Sequence, residues 1–177
     1  MTRAQCEAYL KWFLGVIPER VQTLENLVRL DPRYALWAAN RSPESLTPLG
    51  EWFAAHVTAR PMTEGEIALR TAQIPEGASV SHQELSGETL SYSMDVGIYL
   101  SQVLVQFSPR LRWTFEMGRK SYVDFGKPVL SSFGGLPLNP VHVVTIAAYG
   151  ISRGSKNGHA IRNLFDVWSS KTERHPA

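Results

Sequence analysis

Residues 89–109 contain one charged side chain, Asp95, and this stretch constrains the fold more than any other. Its large apolar residues, Leu90, Met94, Tyr99, Leu100, Val103, Leu104 and Phe107, fall on several sides of a helix. That is the pattern of a helix surrounded by neighbours rather than one lying on a surface. Thr89, Ser91, Ser93, Ser101, Gln102 and Gln106 make the stretch too polar to cross a membrane. Ser86 offers an N-cap and Ser108-Pro109 a stop, so the spacing predicts a central helix over 88–107.

Beyond Pro109 the apolar period changes from about 3.6 to 2. Leu111, Trp113, Phe115 and Met117 alternate with Arg112, Thr114 and Glu116, which predicts a half-buried strand. Residues 121–125 are expected to pair back across a turn at 118–120, and 129–133 to add a third extended segment. Asn139 as N-cap with Pro140 at the first helical position predicts a helix over 141–151. Further helices are predicted over 3–14, from Pro18 to about residue 30, over 45–58 and over 159–169. Gly15 and Pro18 separate the first two. A short helix is expected within 34–40, residues 64–72 suit another, and 75–81 reads as loop. The sum is α+β: mainly a helical bundle with one small antiparallel sheet of about three strands (residues 111–133). One domain is expected over 1–170, with a flexible tail at 171–177.

Composition narrows the function classes. With 177 residues, 44% hydrophobic and 19% charged, the chain has the make-up of a folded domain rather than a disordered one. The net charge is +2, carried as −3 in residues 1–88 and +5 in residues 89–177, a weak basic excess for a nucleic-acid binder. Cys6 is the one cysteine, so no internal disulfide and no cysteine-based zinc site can form. It reads as a buried, inert thiol, and a reducing, cytoplasmic setting is expected. Glu7 and Lys11 interrupt the first apolar run, so residues 1–20 do not read as a secretory signal. The five histidines lack metal-ligand spacing, and neither GxSxG nor a phosphate-loop motif is present. No metal or other cofactor is expected.

Three features are candidate binding sites. Tyr92, Asp95 and Tyr99 share one face of the central helix, and a carboxylate beside phenols in a dry site is an acid–base candidate. The bland alternative is an ion pair, for example to Arg112. A pocket between this helix and the hairpin would use Asp95, Tyr99 and Arg112. Gly97 reads as a place of close helix packing. Arg153 and Lys156, with His159, precede a helix N-terminus where anions bind well, against the alternative of a solvated loop. Of the five tryptophans, most sit on apolar stripes and read as core. Trp37 lies outside any stripe and is the candidate exposed anchor for a partner. Ser131-Ser132 near two glycines reads as a turn rather than a nucleophile.

The segments SPESLTPLGEWFAAHV, DVGIYLSQVLVQFSPRLRWTF and DFGKPVLSSFG together resemble a group of small bacterial α+β proteins of unassigned activity, over roughly residues 43–145. Some proteins of similar build are immunity proteins, which neutralise a toxin. A complete core with no catalytic motif leads to the expectation of a cytoplasmic protein-interaction module, of the immunity or inhibitor kind, binding a partner protein without turnover. Two alternatives stand beside it. One is an enzyme or small-ligand-binding protein with a pocket around Asp95. The other is a weak nucleic-acid binder using Arg110, Arg112, Arg119, Lys120 and Lys127 of the basic half, with the loop from Arg153 to Arg162.

Overall fold

In the computed structural model, which describes residues 1–73, 81–131 and 137–173, the Ser86 side chain accepts the Thr89 N–H and opens a 21-residue helix, Gly87–Phe107. In chain order the elements are α1 (Arg3–Arg29), α2 (Leu46–His56), β1 (Ala59–Pro61), α3 (Glu64–Thr71), β2 (Gln83–Leu85), α4 (Gly87–Phe107), β3 (Arg112–Phe115), β4 (Pro128–Ser131), α5 (Pro140–Ser152) and α6 (Ala160–Glu173). The fold is α+β, mostly helical, with small antiparallel sheets of two strands each. No helix among the described residues is long and apolar enough to cross a membrane.

α4 is the central helix its sequence predicts. Val96, Tyr99, Leu100, Val103 and Leu104 are buried in one cluster with Leu24 and Val28 of α1, Leu49, Trp52 and Phe53 of α2, Val144 and Ala148 of α5, and Ile161 and Phe165 of α6. Each such aliphatic side chain removed from water contributes about 1.5–3 kcal/mol, which is what holds the layers together. α5 lies closest to α4. A Cβ built at Gly97 would stand 2.7 Å from the Val141 Cα, so only glycine permits this approach.

Three expectations are corrected. The break at Gly15 and Pro18 is absent: α1 runs unbroken through Pro18. Pro18 and Leu14, whose carbonyl loses its amide partner, are both exposed, so water can take that carbonyl. The sheet within 111–133 has two strands, not about three. β3 pairs antiparallel with β4, Arg112 opposite Ser131 and Phe115 opposite Pro128. Residues 119–127 are successive turns instead of a returning strand, closed by bonds such as Tyr122 N–H to Arg119 C=O (2.9 Å) and Phe125 N–H to Tyr122 C=O (3.0 Å). A second ribbon, β1–β2, lies outside the predicted sheet. Finally, residues 171–173 of the expected tail continue α6. The loop expected at 75–81 and the pair Ser131-Ser132 lie mostly or partly outside the described residues.

Candidate active cavity

Asn139 caps α5 and also joins two segments. Its side-chain oxygen accepts the His142 backbone N–H (3.1 Å), while its amide donates to Asp124 Oδ1 (2.7 Å). His142 stands in the first turn of α5, and its Nδ1 meets the same Asp124 oxygen at 3.2 Å. A carboxylate only accepts, so Nδ1 carries a proton in this contact, and in the neutral form of the ring Nε2 is the acceptor. Lys127 Nζ lies 3.9 Å from Asp124 Oδ1. Asp124 itself is only 5% exposed, so two hydrogen bonds and a nearby ammonium balance a buried charge.

The turns that carry Asp124 are fixed from below. Gly126 adopts φ +75°, and a Cβ there would lie 3.3 Å from the buried Cys6 Sγ and 3.0 Å from Met1 Sδ. Its N–H donates to Glu116 C=O (2.7 Å). Glycine is therefore required twice over, by backbone conformation and by the approach to α1.

His142 and Lys127 line a cavity of about 350 Å³. Its other walls are mainly apolar: Tyr9 and Phe13 of α1, Met94 of α4, Val123, Pro128 and Val141. Thr145 also lines it, but its hydroxyl donates to Val141 C=O (2.8 Å). The volume suits a small molecule, and the arrangement of apolar walls with a few convergent polar groups is that of ligand pockets in general. Asp124 and His142 are not part of a larger metal-binding group: no cluster of three His, Cys, Asp or Glu occurs among the described residues.

The residues singled out from sequence lie elsewhere. Asp95 is buried, as a lone acid on α4 suggests, but it faces Arg20 of α1 (Nε to Oδ1, 2.5 Å) and not Arg112. Arg112 donates instead to the carbonyls of Pro109 and Leu111. Burial pushes the Asp95 carboxyl up from its ordinary value, against the pull of Arg20. Tyr99 is fully buried; its hydroxyl meets Ser45 Oγ (2.7 Å) and accepts the Arg41 N–H (3.0 Å). Burial raises the Tyr99 phenol, and burial with the Glu88 carboxylate pushes Tyr92 up to about 12. Both phenols stay protonated at neutral pH. The three side chains thus share a helix face but have separate partners, and no acid–base site assembles there.

Trp37 is also corrected. It is buried at 6% exposure, donates from Nε1 to Ser45 C=O (3.0 Å) and packs edge-to-face on Tyr99. The exposed tryptophan is Trp12, at 53%, stacked on Tyr9. Arg153 lies over the Tyr149 ring, 5.5 Å from its centroid, while Lys156 lines a separate shallow polar hollow with Ser155 and Asn157. The two cations are not brought together around one anion site.

Sequence reasoning passed over Asp124 and His142, whose partnership spans 18 positions and a run of turns. The signal available was Asn139, read correctly as a cap, and the Asp-Phe-Gly-Lys-Pro run noted above. Comparison with protein-family models, with curated proteins and with solved structures finds no match for the chain. The geometry alone therefore bears on function.

Proposed function

We propose that this chain is a small-ligand-binding protein whose ligand is a mostly apolar molecule with one O–H group, held in the α1–α4–α5 cavity. The observation that carries this reading is His142 on the cavity wall, backed by the buried Asp124 carboxylate. Asp124 orients the imidazole, and Nε2 can accept the ligand's hydrogen. The apolar walls take the body of the molecule. Tyr9 and Thr145 are the hydroxyl-bearing residues among the described lining, and Thr145 is already engaged, which favours binding over nucleophilic catalysis. The expectation of a ligand-binding protein is thus kept, with its pocket moved from Asp95 to Asp124 and His142.

The test is an NMR titration with 4-propylphenol, following imidazole nitrogen resonances, with 4-propyltoluene as the isostere lacking the hydroxyl. The phenol should shift His142 selectively. His142→Phe should weaken it about tenfold, the value of one lost hydrogen bond. Equal affinity for the toluene, or an unaltered affinity in His142→Phe, removes the reading.

A second reading, the cytoplasmic interaction module of immunity type, has one observation in its favour. Trp12 is exposed on α1 and stacks on the half-buried Tyr9, with Leu14 (38% exposed) beside them in the sequence. A partner held through that stack would be released by Trp12→Ala while binding of the phenol stayed unchanged.

A further inference from the structure

We propose a second site, separate from the His142 cavity: the open groove of about 500 Å³ between α1, α4 and β3 binds a small carboxylate with an apolar tail, and Arg41 takes the carboxylate. The argument begins with the backbone. Arg41 is the non-glycine residue with positive φ, at +61°, among the described residues. For a side chain with a Cβ this region is disfavoured by about 1 kcal/mol or more, and such outliers persist where the surroundings fix them. Here the fixing group is Tyr99, whose buried hydroxyl accepts the Arg41 N–H at 3.0 Å. Glycine would adopt the same conformation without strain. What the arginine adds is its guanidinium, which lines the groove and forms no ion pair among the described residues.

The other walls define the tail. Ile17 and Val21 of α1, Val105 of α4 and Trp113 of β3 present apolar surface. Glu25 is the acid in the lining, and its charge is taken by Arg29 at 2.6 Å, so it does not oppose an incoming carboxylate. Trp113 is half-buried in the wall and packs edge-to-face on Phe13, with its indole Nε1–H shielded from the open groove, so the ring supplies apolar contact and a nearby reporter rather than a donor. A groove with an unpaired fork of donors and aliphatic sides is complementary to an alkyl or aryl carboxylate.

The probe is octanoate, with octylamine and octanol as chain-matched controls, read on the Trp113 indole N–H resonance assigned through Trp113→Phe. Octanoate should shift that resonance and bind at least tenfold more tightly than either control. Arg41→Gln should lose at least tenfold in affinity. Arg41→Gly should lose it too while unfolding at equal or higher denaturant, which separates ligand binding from fold. His142→Phe should leave octanoate unaffected, so the fate of this groove does not depend on the cavity reading. Equal binding of octylamine, full affinity in Arg41→Gly, or loss of octanoate in His142→Phe overturns the proposal.

Discussion

Removing Arg20 leaves the Asp95 carboxylate buried, its side chain 4% exposed, without a counter-charge. Breaking a buried pair from one side is costly because the remaining charge is stranded. At neutral pH Arg20→Ala should therefore destabilise the fold by about 3 kcal/mol, the low end of that class because water reaches the arginine side. The sign of the pH dependence follows from the raised Asp95 pKa. The folded state binds the proton more tightly than the unfolded chain does, so ionisation weakens folding as pH rises through and above the ordinary carboxylate range. The Arg20→Ala penalty should shrink towards pH 4, and Asp95→Asn in the same background should recover most of it at pH 7. Urea unfolding at the two pH values measures both; a penalty independent of pH would mean Asp95 is neutral throughout. Asp95 was legible in the sequence as the single acid in an apolar helix. Its partner was not, because Arg20 lies 75 positions earlier and only the packing of α1 on α4 brings it near. Trp37 misleads for the same reason: its burial depends on Tyr99 and on the Ser45 carbonyl.

At the scale of elements, local signals worked where a backbone group had one obvious partner. Ser86 and Asn139 cap α4 and α5 as their positions suggest, because a cap is decided within four residues. Gly97 permits the close approach of α5, a role its place in an apolar helix hints at. Pro18 shows where such reasoning stops. A proline removes one amide and crowds the carbonyl four residues back, yet α1 continues because its buried stripe, Phe13, Ile17, Leu24 and Val28, spans the proline. Packing energy on that stripe outweighs a defect that faces solvent. The defect still has a cost. Alanine is favoured over proline by about 3 kcal/mol in a helix interior, partly offset by the freedom proline removes from the unfolded chain. Pro18→Ala should therefore raise stability by about 1–2 kcal/mol in urea unfolding. A loss of stability would show that the ring itself packs on something essential. The predicted third strand failed at this scale too. Period-2 alternation identified β3, but the turns at 119–127 are held by bonds three residues apart and by a left-handed Gly126, a pattern alternation does not encode.

Over the whole molecule stability is unevenly distributed. The β1–α3–β2 unit has little buried surface: β1 is exposed throughout, and α3 buries none of its residues. Met62 and Leu85 anchor it, and a charge network does the rest. Arg60 pairs with Glu66 (2.6 Å) and Glu84 (3.2 Å), and Arg70 pairs with Glu84 (2.8 Å). The Arg60 guanidinium and the capping bonds of Thr63 hold the Glu66 carboxyl down, at about 2. Exposed pairs of this kind are screened by salt, unlike the buried contacts of α4. This region should open on its own, ahead of global unfolding, as segments poor in apolar contacts do. Hydrogen exchange should give residues 59–73 and 83–85 protection well below that of α4, falling further in 1 M salt while α4 is unchanged. The acid dependence has a defined sign. A depressed carboxyl contributes stability that is complete above its unfolded value, 4.5, and is lost as pH falls through about 2. Protection of the unit should decline from pH 5 towards pH 2.5 when corrected for intrinsic exchange, and Arg60→Gln should flatten that decline. If the unit and α4 instead exchange together at every salt and pH, the small ribbon is part of the same cooperative core, and the ion pairs around Glu84 do not set its stability.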